Sequence, residues 1–468
     1  MICVSVIVDK PKKFLTLYNK ISSIYELIEL RVDKVYDIDL KNLLVHPRPK
    51  IIYTLRDKSI GENERLNLFT SAIDSKVDFI DIDIEMLTAN MQKLIKYAKE
   101  KNTKVILSYH NFEKTPDELP KIYNKLKLYS PDYIKIACYA NDIGDNIKIF
   151  KLLKQKKNET SKLIAFCMGE KGEISRILSP KFGSAITYAS LKPELETAEG
   201  QIPVQQLESV YNYHQINPDT KIFGLVGNPV KQSQGIYTHN RVFKYNRLNA
   251  VYVNFLVDKF PKFIKEYKPI ITGLSITKPF KEVAIKFLDE ISEEVKEIGA
   301  VNTIIKKNNK LFGYNTDAMA LMSLLPENLS RKTVAVLGTG GAARSAIYSA
   351  IKKKANVIVF GRDQIKAKNL AKHFGCEYDK LSNIPNHKFK VLINATSVGM
   401  MPDYTDSPVD EKILKQGMLV VDFVYNPAIT RLLIFAKSKG CDIIKGLDIF
   451  KKQASLQRNF FRRAILDE

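Results

Sequence analysis

The chain has 468 residues, a formal net charge of +22 and 45% hydrophobic residues, so we expect two or three domains with ordinary globular cores. Its apolar runs are too short to cross a bilayer, and its N-terminal segment lacks the pattern of a signal or transit peptide. The five cysteines are isolated and lack CxxC spacing, which excludes a disulfide framework and a structural zinc site and indicates a reducing, cytoplasmic location.

The excess of positive charge raises the question of nucleic-acid binding. The lysines are spread along predicted helices, as at Lys151–Lys157 and Lys352–Lys354, rather than interleaved with aromatic residues. We therefore expect solvated helix faces that attract anionic metabolites, with no nucleic-acid or membrane partner. No metal site is expected. The oligomeric state is left open, and a monomer is compatible with the sequence.

Short β-rich runs recur through the first half of the chain, with helix-like segments between them. Roughly eight such β/α units in about 200 residues predict an α/β fold of the TIM-barrel type, (β/α)8, which we assign to residues 1–217. The predicted strands are Ile2–Val8, Glu26–Val32, Lys50–Arg56, Phe79–Ile84, Lys104–Tyr109, Tyr133–Ala137, Leu163–Phe166 and Ala185–Tyr188.

Polar residues cluster where these runs end, which in such barrels is the face that carries the active site. Lys135 lies within an apolar run, where an ammonium is costly to bury, so we expect a neutral amine able to attack a ketone and form a Schiff base. Taken alone, Lys135 fits a snorkelling lysine at a strand edge better. Together with His110 and with Arg31, Arg56 and Arg176, the catalytic interpretation is favoured.

This half resembles type I 3-dehydroquinate dehydratase over nearly its whole length. The motifs that carry the resemblance are Glu29-Leu-Arg31-Val-Asp33, Thr54-Leu-Arg56, Ser108-Tyr-His110, Lys135-Ile-Ala, Met168-Gly-Glu-Lys-Gly172 with Arg176, and Gly200-Gln201. The resemblance implies that Lys135 forms an iminium with the C3 ketone of 3-dehydroquinate, while His110 moves protons at C2 and at the leaving C1 hydroxyl. It further implies substrate-binding roles for Glu29, Arg31, Arg56, Arg176, Thr197 and Gln201.

Two departures from that family concern charge. The glutamate that orients the histidine aligns with Asp83, which is one methylene shorter, and Glu85 lies on the same strand face as a possible substitute. The loop Thr197-Ala-Glu199-Gly-Gln201 places Glu199 where the family has proline, which adds a negative charge beside an anionic substrate. We expect lower efficiency rather than lost activity.

After a short turn-rich joint at residues 217–220 the pattern restarts. Strands at Lys221–Val226, Ala250–Leu256 and Ile270–Ile276 alternate with helix-like Tyr237–Tyr245 and Phe260–Tyr267. This predicts a small α/β substrate domain at residues 221–325, completed by a C-terminal helix at about 446–468.

Residues 326–445 are predicted to form a Rossmann domain. Strand Thr333–Leu337 runs into a glycine turn, which is followed by a helix-like segment and strand Val357–Phe360. This order of elements distinguishes a dinucleotide-binding motif from a glycine-rich turn that binds no ligand. The candidate cofactor-binding residues of the turn are Gly338, Gly340, Gly341 and Ala342.

The residues after the second strand of this domain select the cofactor, because an acid there accepts from the ribose 2′-OH and an arginine receives a 2′-phosphate. Arg362 and Lys366 favour NADP(H), whereas Asp363 leaves NAD(H) open. We expect NADP(H).

The second half resembles shikimate dehydrogenase throughout. The supporting motifs are Gly227-Asn-Pro229, Thr277-Lys-Pro279-Phe-Lys281, Asn302-Thr303, Asn315-Thr-Asp317, Asn394-Ala-Thr396, Tyr425-Asn-Pro427, Gly446 and Gln453-Ala454. The resemblance implies that Lys281 and Asp317 form a general acid–base pair at the reacting oxygen. It also implies substrate contacts from Ser233, Thr277, Asn302, Tyr425 and Gln453, and cofactor contacts from Thr396 and Gly446.

The carboxylate-binding loop of this second family carries two serines, whereas this chain keeps Ser233 and has Gly235 at the other position. The loss of one hydroxyl leaves room for the extra hydroxyl of quinate, so quinate is an alternative substrate. The predicted function is the conversion of 3-dehydroquinate to 3-dehydroshikimate and then to shikimate. A metabolite-binding regulator on the same scaffold is the alternative from another functional class.

Overall fold

The computed structural model of the chain describes residues 1–7, 9–36, 38–44 and 48–466. It contains two compact units, Met1–Lys221 with Asn240–Tyr267, and Ile222–His239 with Lys268–Glu468. Val8, at the end of the first predicted strand, and residues 467–468, at the end of the predicted C-terminal helix, lie outside the described residues.

Within the described part of the first unit, eight parallel strands follow the order β7-β6-β5-β4-β3-β2-β1-β8. Their bounds are β1 Ile2–Ile7, β2 Leu27–Arg31, β3 Lys50–Thr54, β4 Phe79–Asp83, β5 Lys104–Asn111, β6 Tyr133–Tyr139, β7 Lys162–Met168 and β8 Thr187–Ser190. The ring is nearly closed between β7 and β8, since Ala185 N–H donates to the Leu163 carbonyl at 2.9 Å. The predicted eight-stranded parallel barrel is therefore confirmed.

Helices connect the barrel strands. They are α1 Pro11–Ile21, α2 Leu40–Leu43, α3 Glu62–Asp74, α4 Thr88–Glu100, α5 Leu119–Lys127, α6 Asp145–Gln155, α7 Glu173–Phe182 and α8 Val204–Ser209. Short 3-10 helices lie at Glu170–Gly172, Pro193–Leu195 and Tyr213–Gln215.

The inward side chains of the barrel change from apolar to polar along the strands. Because successive strand residues alternate between faces, one inward layer contains buried residues such as Leu27, Ile52, Phe79, Ile106 and Tyr133. Two residues further along each strand, the same face carries a polar layer, namely Glu29, Thr54, Asp81, Ser108 and Lys135. An apolar floor thus lies beneath the polar mouth.

Residues 221–466 form the remaining elements. The strands are β9 Lys221–Gly227, β10 Ala250–Leu256, β11 Ile271–Ile276, β12 Glu290–Ile291, β13 Thr303–Lys307, β14 Lys310–Tyr314, β15 Thr333–Leu337, β16 Asn356–Gly361, β17 Glu377–Lys380, β18 Val391–Asn394, β19 Leu419–Asp422 and β20 Asp442–Ile444. The helices are α9 Gly235–Tyr245, α10 Phe260–Tyr267, α11 Glu293–Ile298, α12 Thr316–Leu324, α13 Gly341–Lys352, α14 Gln364–Phe374, α15 Arg431–Ser438 and α16 Gly446–Leu466, with 3-10 turns at Val283–Phe287, Leu381–Asn386 and Glu411–Ile413.

The segment Asn240–Tyr267, which contains β10 and α10, groups with the first unit. Tyr267 Oη donates to the Ile143 carbonyl at 2.6 Å, and Lys262 Nζ contacts Asp142 Oδ1 at 2.8 Å. These contacts attach the segment to the loop that precedes α6.

In the second unit, one sheet runs in the order β9-β11-β13-β14-β12. β9 and β11 are parallel, and β13 is antiparallel to both β11 and β14. Helix α16 packs on this sheet, where the fully buried Phe461 ring lies 4.7 Å from the Phe223 ring. The C-terminal helix therefore completes the core of this sheet.

The other sheet of the second unit is entirely parallel, in the order β17-β16-β15-β18-β19-β20. This is the doubly wound order in which a dinucleotide binds beside the first strand, where the direction of strand addition reverses. Here that crevice lies between the ends of β15 and β18. The predicted Rossmann fold is confirmed. None of the described helices is both long enough and apolar enough to cross a membrane.

Asn315 connects the substrate sheet to α12. It is fully buried, its Oδ1 accepts Ala318 N–H at 3.0 Å and its Nδ2 donates to the Ala300 carbonyl at 2.8 Å. We predict that Asn315→Ala lowers the free energy of unfolding by about 2–4 kcal/mol, because two buried backbone groups lose their partners. Urea unfolding followed by circular dichroism measures this, since the chain has no tryptophan.

The matched control is Ser292→Ala, which removes the N-cap of α11, where Ser292 accepts Val295 N–H at 3.4 Å in a partly exposed position. We expect a loss of about 1 kcal/mol there. Equal losses of unfolding free energy in the two variants would contradict the buried structural role assigned to Asn315.

Candidate active sites

A cavity of about 240 Å³ opens at the carboxyl ends of the barrel strands. It brings together every catalytic and substrate-binding residue predicted for the first half: Glu29, Arg31, Arg56, His110, Lys135, Arg176, Thr197 and Gln201. These residues come from separate strands and loops, so the closing of the barrel creates the cluster.

Lys135 lies at the bottom of this cavity and is 5% exposed. Its Nζ contacts Asp81 Oδ2 at 2.9 Å and Glu29 Oε1 at 3.7 Å, and it lies 4.0 Å from the centre of the Tyr188 ring. The sequence-based expectation of an apolar setting with nearby arginines was incomplete, because carboxylates contact the amine directly.

Asp81 is the site residue that the sequence reasoning missed. It is fully buried, and its Oδ1 contacts Arg56 Nη2 at 2.6 Å while its Oδ2 contacts Lys135. Burial alone would raise the pKa of Asp81, but the charges of Arg56 and Lys135 hold that pKa far below its usual range. Asp81 therefore stays ionised. The signal was its position, since Asp81 lies two residues after Phe79 in β4 and hence on the same face of the strand.

His110 lies above Lys135, one strand away. Its Nδ1 lies 3.0 Å from Asp83 Oδ2, so the carboxylate accepts a hydrogen bond from Nδ1–H and leaves Nε2 as the basic nitrogen. Burial and the charge of Arg56 lower the pKa of His110 to about 4. Asp83, despite its shorter side chain, reaches the histidine, whereas Glu85 pairs with Lys58 in an exposed position.

Arg176 provides an unsatisfied positive charge in the wall of the cavity. It is 1% exposed, its Nη1 donates to the Tyr188 carbonyl at 3.3 Å, and its guanidinium lies 4.1 Å from the centre of the Phe166 ring. Its Nε and Nη2 have no hydrogen-bond partner among the described residues. Burial lowers the pKa of Arg176 to about 10, so it remains a cation able to receive a carboxylate at neutral pH.

The loop 197–201 contributes polar groups without adding the expected charge. Thr197 N–H donates to Gln201 Oε1 at 2.8 Å, and both residues line the cavity. Glu199 instead accepts from Tyr139 Oη at 3.2 Å, and it is not among the described residues that line the cavity. The effect of the Glu199 charge on an anionic substrate stays a prediction.

A second cavity, of about 450 Å³, lies in the second unit. Of the residues predicted for this half, its wall contains Thr277, Lys281, Gly340, Gly341, Ala342, Thr396 and Tyr425. Among the described residues the wall does not include Ser233, Asn302, Asp317, Gln453, Gly338, Arg362, Lys366 or Gly446.

Lys281 and Asp317 form a close pair, with 2.6 Å between Nζ and Oδ2. Lys281 follows the turn after β11, and Asp317 lies in the first turn of α12, whose N-terminus favours a negative charge. Both side chains are largely buried. The pair can hold and transfer one proton beside a bound carbonyl oxygen.

Amide side chains connect α12 and α16 behind this pair. Asn302 Oδ1 accepts Thr316 N–H at 2.8 Å, and Thr316 Oγ1 lies 3.4 Å from Gln453 Oε1. Gln457, one helical turn after Gln453, donates to the Asn302 carbonyl at 3.1 Å. The sequence reasoning missed Gln457, although its spacing of four from Gln453 puts both on one helix face.

Asp422 connects the two loops that form the far wall. It accepts from Asn394 Nδ2 at 3.0 Å, from Val424 N–H at 2.9 Å and from Thr430 Oγ1 at 2.6 Å. Burial raises the pKa of Asp422 to about 6, and these hydrogen bonds act against that rise. Thr396, in turn, donates from Oγ1 to Asn394 Oδ1 at 2.7 Å.

Tyr425 follows the same strand and lines the cavity. Burial raises the pKa of its hydroxyl, and a hydrogen bond with Ser233 acts in the opposite direction. Ser233 Oγ also accepts Gly235 N–H at 3.1 Å, at the start of α9. Ser233 is thus connected to the cavity through Tyr425.

The glycines predicted to bind the cofactor differ in what surrounds them, and so in why each position lacks a side chain. Gly338 has a φ of +117°, which other residues rarely adopt, and a Cβ there would lie 3.1 Å from the Ala395 carbonyl oxygen. A Cβ on Gly340 would meet nothing within 4 Å, so open space lies over the N-terminus of α13, where a pyrophosphate fits. Gly446 packs against backbone, since a Cβ there would lie 2.2 Å from the Val424 carbonyl oxygen.

Asp363 and the basic residues Arg362 and Lys366, which follow β16, differ in their contacts. Asp363 caps α14 by accepting Lys366 N–H at 3.0 Å, and Lys366 Nζ lies 3.5 Å from Asp363 Oδ2. Arg362 is exposed. The side chain of Asp363 is therefore already engaged as the N-cap of α14. No group of three or more His, Cys, Asp or Glu residues in the described part of the chain could hold a metal ion.

Comparison with known proteins matches both halves. Residues 2–218 match the family type I 3-dehydroquinase, residues 225–304 the shikimate dehydrogenase substrate binding domain, and residues 320–426 the shikimate/quinate 5-dehydrogenase. The chloroplastic bifunctional 3-dehydroquinate dehydratase/shikimate dehydrogenase of Arabidopsis thaliana is 34% identical over 496 residues, covering 98% of this chain and 82% of the relative. The chain belongs to this bifunctional family.

Other relatives match the second half. The shikimate dehydrogenase (NADP(+)) of Pyrococcus furiosus is 43% identical over 238 residues, covering 50% of this chain and 86% of the relative. The crystal structure of shikimate dehydrogenase from Aquifex aeolicus aligns with 54% of this chain and 98% of its own, at 32% identity and a TM-score of 0.49.

Both resemblances inferred from the motifs are confirmed. The first half of the chain has a 3-dehydroquinate dehydratase (lyase) activity and the second half a shikimate dehydrogenase (oxidoreductase) activity, and the chain acts in the shikimate pathway.

The depressed pKa of His110 predicts a pH profile for the dehydratase. Because the pKa is about 4, the imidazole is neutral and able to accept a proton down to about pH 5. We expect kcat/KM to stay constant between about pH 7 and pH 5 and to fall as the pH approaches 4 and His110 becomes protonated. Initial rates from about pH 3 to pH 8 measure this.

Asp83→Asn is the control, because the hydrogen bond and the negative charge of Asp83 both raise the pKa of the histidine. The variant loses the charge, which should move the acid limb of the profile to lower pH. An inflection near pH 6.5 in the unmodified enzyme would contradict the burial argument.

Proposed function

We propose that Lys135 and His110 perform the dehydration of 3-dehydroquinate through a Schiff base. The observation that carries this proposal is their common position in one cavity, with Lys135 paired to Asp81 and His110 Nε2 free to accept a proton. Lys135 Nζ attacks the C3 carbonyl carbon, and loss of water leaves an iminium. His110 Nε2 removes a proton from C2, and the electrons form an enamine.

The second half of the reaction returns the same proton. The imidazolium of His110 protonates the C1 hydroxyl, the C1–O bond breaks and water leaves, and hydrolysis then frees Lys135. The charge on Lys135 is positive as ammonium and as iminium, so the ionised Asp81 balances it before and after attack. Arg176 receives the substrate carboxylate, and Glu29, Arg31, Arg56, Thr197 and Gln201 bind its remaining polar groups.

For the second reaction, Lys281 and Asp317 form the acid–base pair. NADPH supplies the hydride when bound. Lys281 Nζ donates a proton to the reacting oxygen of 3-dehydroshikimate, and Asp317, 2.6 Å away, holds the ammonium in place. Thr277 and Tyr425 contact the substrate from the cavity wall, while Ser233, Asn302 and Gln453 support it. These paired groups favour catalysis over a metabolite-binding regulator.

We propose NADP(H) as the cofactor. The crevice beside β15, the open space at Gly340 and the N-terminus of α13 fit a dinucleotide, with Gly338, Gly341, Ala342, Thr396 and Gly446 around it. The 2′-phosphate is received by Arg362 with Lys366, because Asp363 is occupied as the cap of α14. The P. furiosus relative is named as an NADP(+) enzyme.

Quinate is a second candidate substrate for the dehydrogenase half. Gly235 is buried at the start of α9 and adds no side chain beside Ser233. The ratio of quinate to shikimate oxidation rates tests it, and quinate turnover below about a hundredth of shikimate turnover would remove it.

The domain boundaries 1–217, 221–325 with the C-terminal helix, and 326–445 are proposals, as is a cytoplasmic location.

Lys135→Ala tests the Schiff base. We expect sodium borohydride with 3-dehydroquinate to leave a reduced adduct on Lys135 of the unmodified enzyme, and the variant to lose both the adduct and dehydratase kcat by ~10³-fold or more. Mass spectrometry locates the adduct. Lys104→Ala, at an exposed strand start, is the matched control. A fully active Lys135→Ala enzyme would remove this mechanism.

Arg362→Ala tests the cofactor. We expect the KM for NADPH to rise roughly 10- to 100-fold, on the scale of a lost hydrogen bond to a charged group, while the KM for NADH changes little. Asp363→Asn keeps a capping side chain and should alter neither preference strongly. A lower KM for NADH than for NADPH in the unmodified enzyme would show that the assignment is wrong.

A further inference from the structure

The methylene stem of Lys281 lies against the first residue of α13. A Cβ on Gly341 would lie 2.8 Å from Lys281 Cδ and 2.9 Å from Lys281 Cβ. The second contact is decisive, because Lys281 Cβ is attached to the backbone and cannot swing aside as the end of a side chain can. The neighbouring Gly340 has no such neighbour within 4 Å.

Both ends of Lys281 are already held. Its carbonyl accepts Val301 N–H at 2.8 Å, and its Nζ contacts Asp317 Oδ2 at 2.6 Å. A side chain at position 341 would therefore displace the stem between two anchored ends. Either the Lys281 backbone would move or the distance between Nζ and Asp317 would change.

The same turn of α13 also contacts the residue after Lys281. Arg344 lies three residues after Gly341, hence on the same face of the helix, and its Nη2 contacts Glu282 Oε2 at 3.2 Å. Arg344 Nη1 also donates to the Ile298 carbonyl at 3.3 Å. The first turn of α13 is thus the surface on which the segment 281–282 is placed.

We propose that Gly341 is a positioning residue for Lys281, separate from the cofactor-binding role of Gly340. The two adjacent glycines have different roles. Gly340 leaves space for the dinucleotide. Gly341 leaves space for the stem of Lys281, so that Lys281 Nζ reaches both Asp317 and the reacting oxygen. This inference rests on the acid–base role proposed for Lys281.

The test is Gly341→Ala in the full-length enzyme, assayed for 3-dehydroshikimate reduction at saturating NADPH. We expect kcat to fall about 10- to 100-fold, since a displacement of ~1 Å of a reacting group has an effect of that size. We also expect the solvent deuterium isotope effect on kcat to increase, because proton donation by Lys281 becomes slower. Dehydratase activity in the same sample normalises the enzyme concentration.

Gly340→Ala is the matched control. It should raise the KM for NADPH, because its Cβ enters the cofactor space, without increasing the solvent isotope effect. Gly341→Ala with unchanged kcat and isotope effect, or with only a higher KM for NADPH, would overturn the proposal.

Two further variants are needed, one in case Gly341→Ala does not fold and one to test the acid–base role of Lys281 separately. Should Gly341→Ala fail to fold by circular dichroism, Glu282→Gln decides: a lower kcat with a larger isotope effect supports placement by the α13 turn, and unchanged values overturn it. Lys281→Met tests the underlying role. If that variant retains kcat, the proposed acid–base function fails; if it is inactive while Gly341→Ala is unaffected, only the positioning inference fails.

Discussion

The ion pair between Lys135 and Asp81 is the interaction on which the dehydratase site depends. An isolated ammonium at 5% exposure would carry a large desolvation penalty, and an isolated carboxylate at Asp81 would carry one too. Their contact, extended by Arg56 to Asp83 and His110, makes a continuous polar layer that the barrel can bury. The same layer sets the chemistry, because it keeps Asp81 ionised and the imidazole neutral.

The dehydrogenase site also buries charged side chains, but its network of ion pairs is shorter. Lys281 and Asp317 are one pair rather than a chain of charges, and their alignment depends on backbone elements brought from distant parts of the sequence. Asn315 orients the start of α12, Asn302 and Gln457 connect α12 with α16, and the first turn of α13 supports the lysine stem. Each of these supports is an uncharged group whose hydrogen bonds or small size fix a position.

Much of the fold and most of the site could be predicted from local patterns. Eight β/α repeats predicted the barrel, and the order strand, glycine turn, helix and strand predicted the Rossmann sheet. The clustering of polar residues where the predicted strands end pointed to His110 and Lys135 at the mouth of the barrel. The patterns gave Asp81 no role, because only its contact with Lys135 distinguishes it from the other carboxylates of β4. They could not give the direction of Glu199, which contacts Tyr139, sixty residues earlier in the chain.

The sequence by itself determined the two folds and which side chains we propose as the reacting groups, because hydrophobic periodicity and short motifs are local properties. Only the tertiary structure decided which carboxylate contacts His110 and that the stem of Lys281 packs where a Cβ on Gly341 would lie. Those contacts join residues far apart in sequence, and their distances are set by packing rather than by local preference.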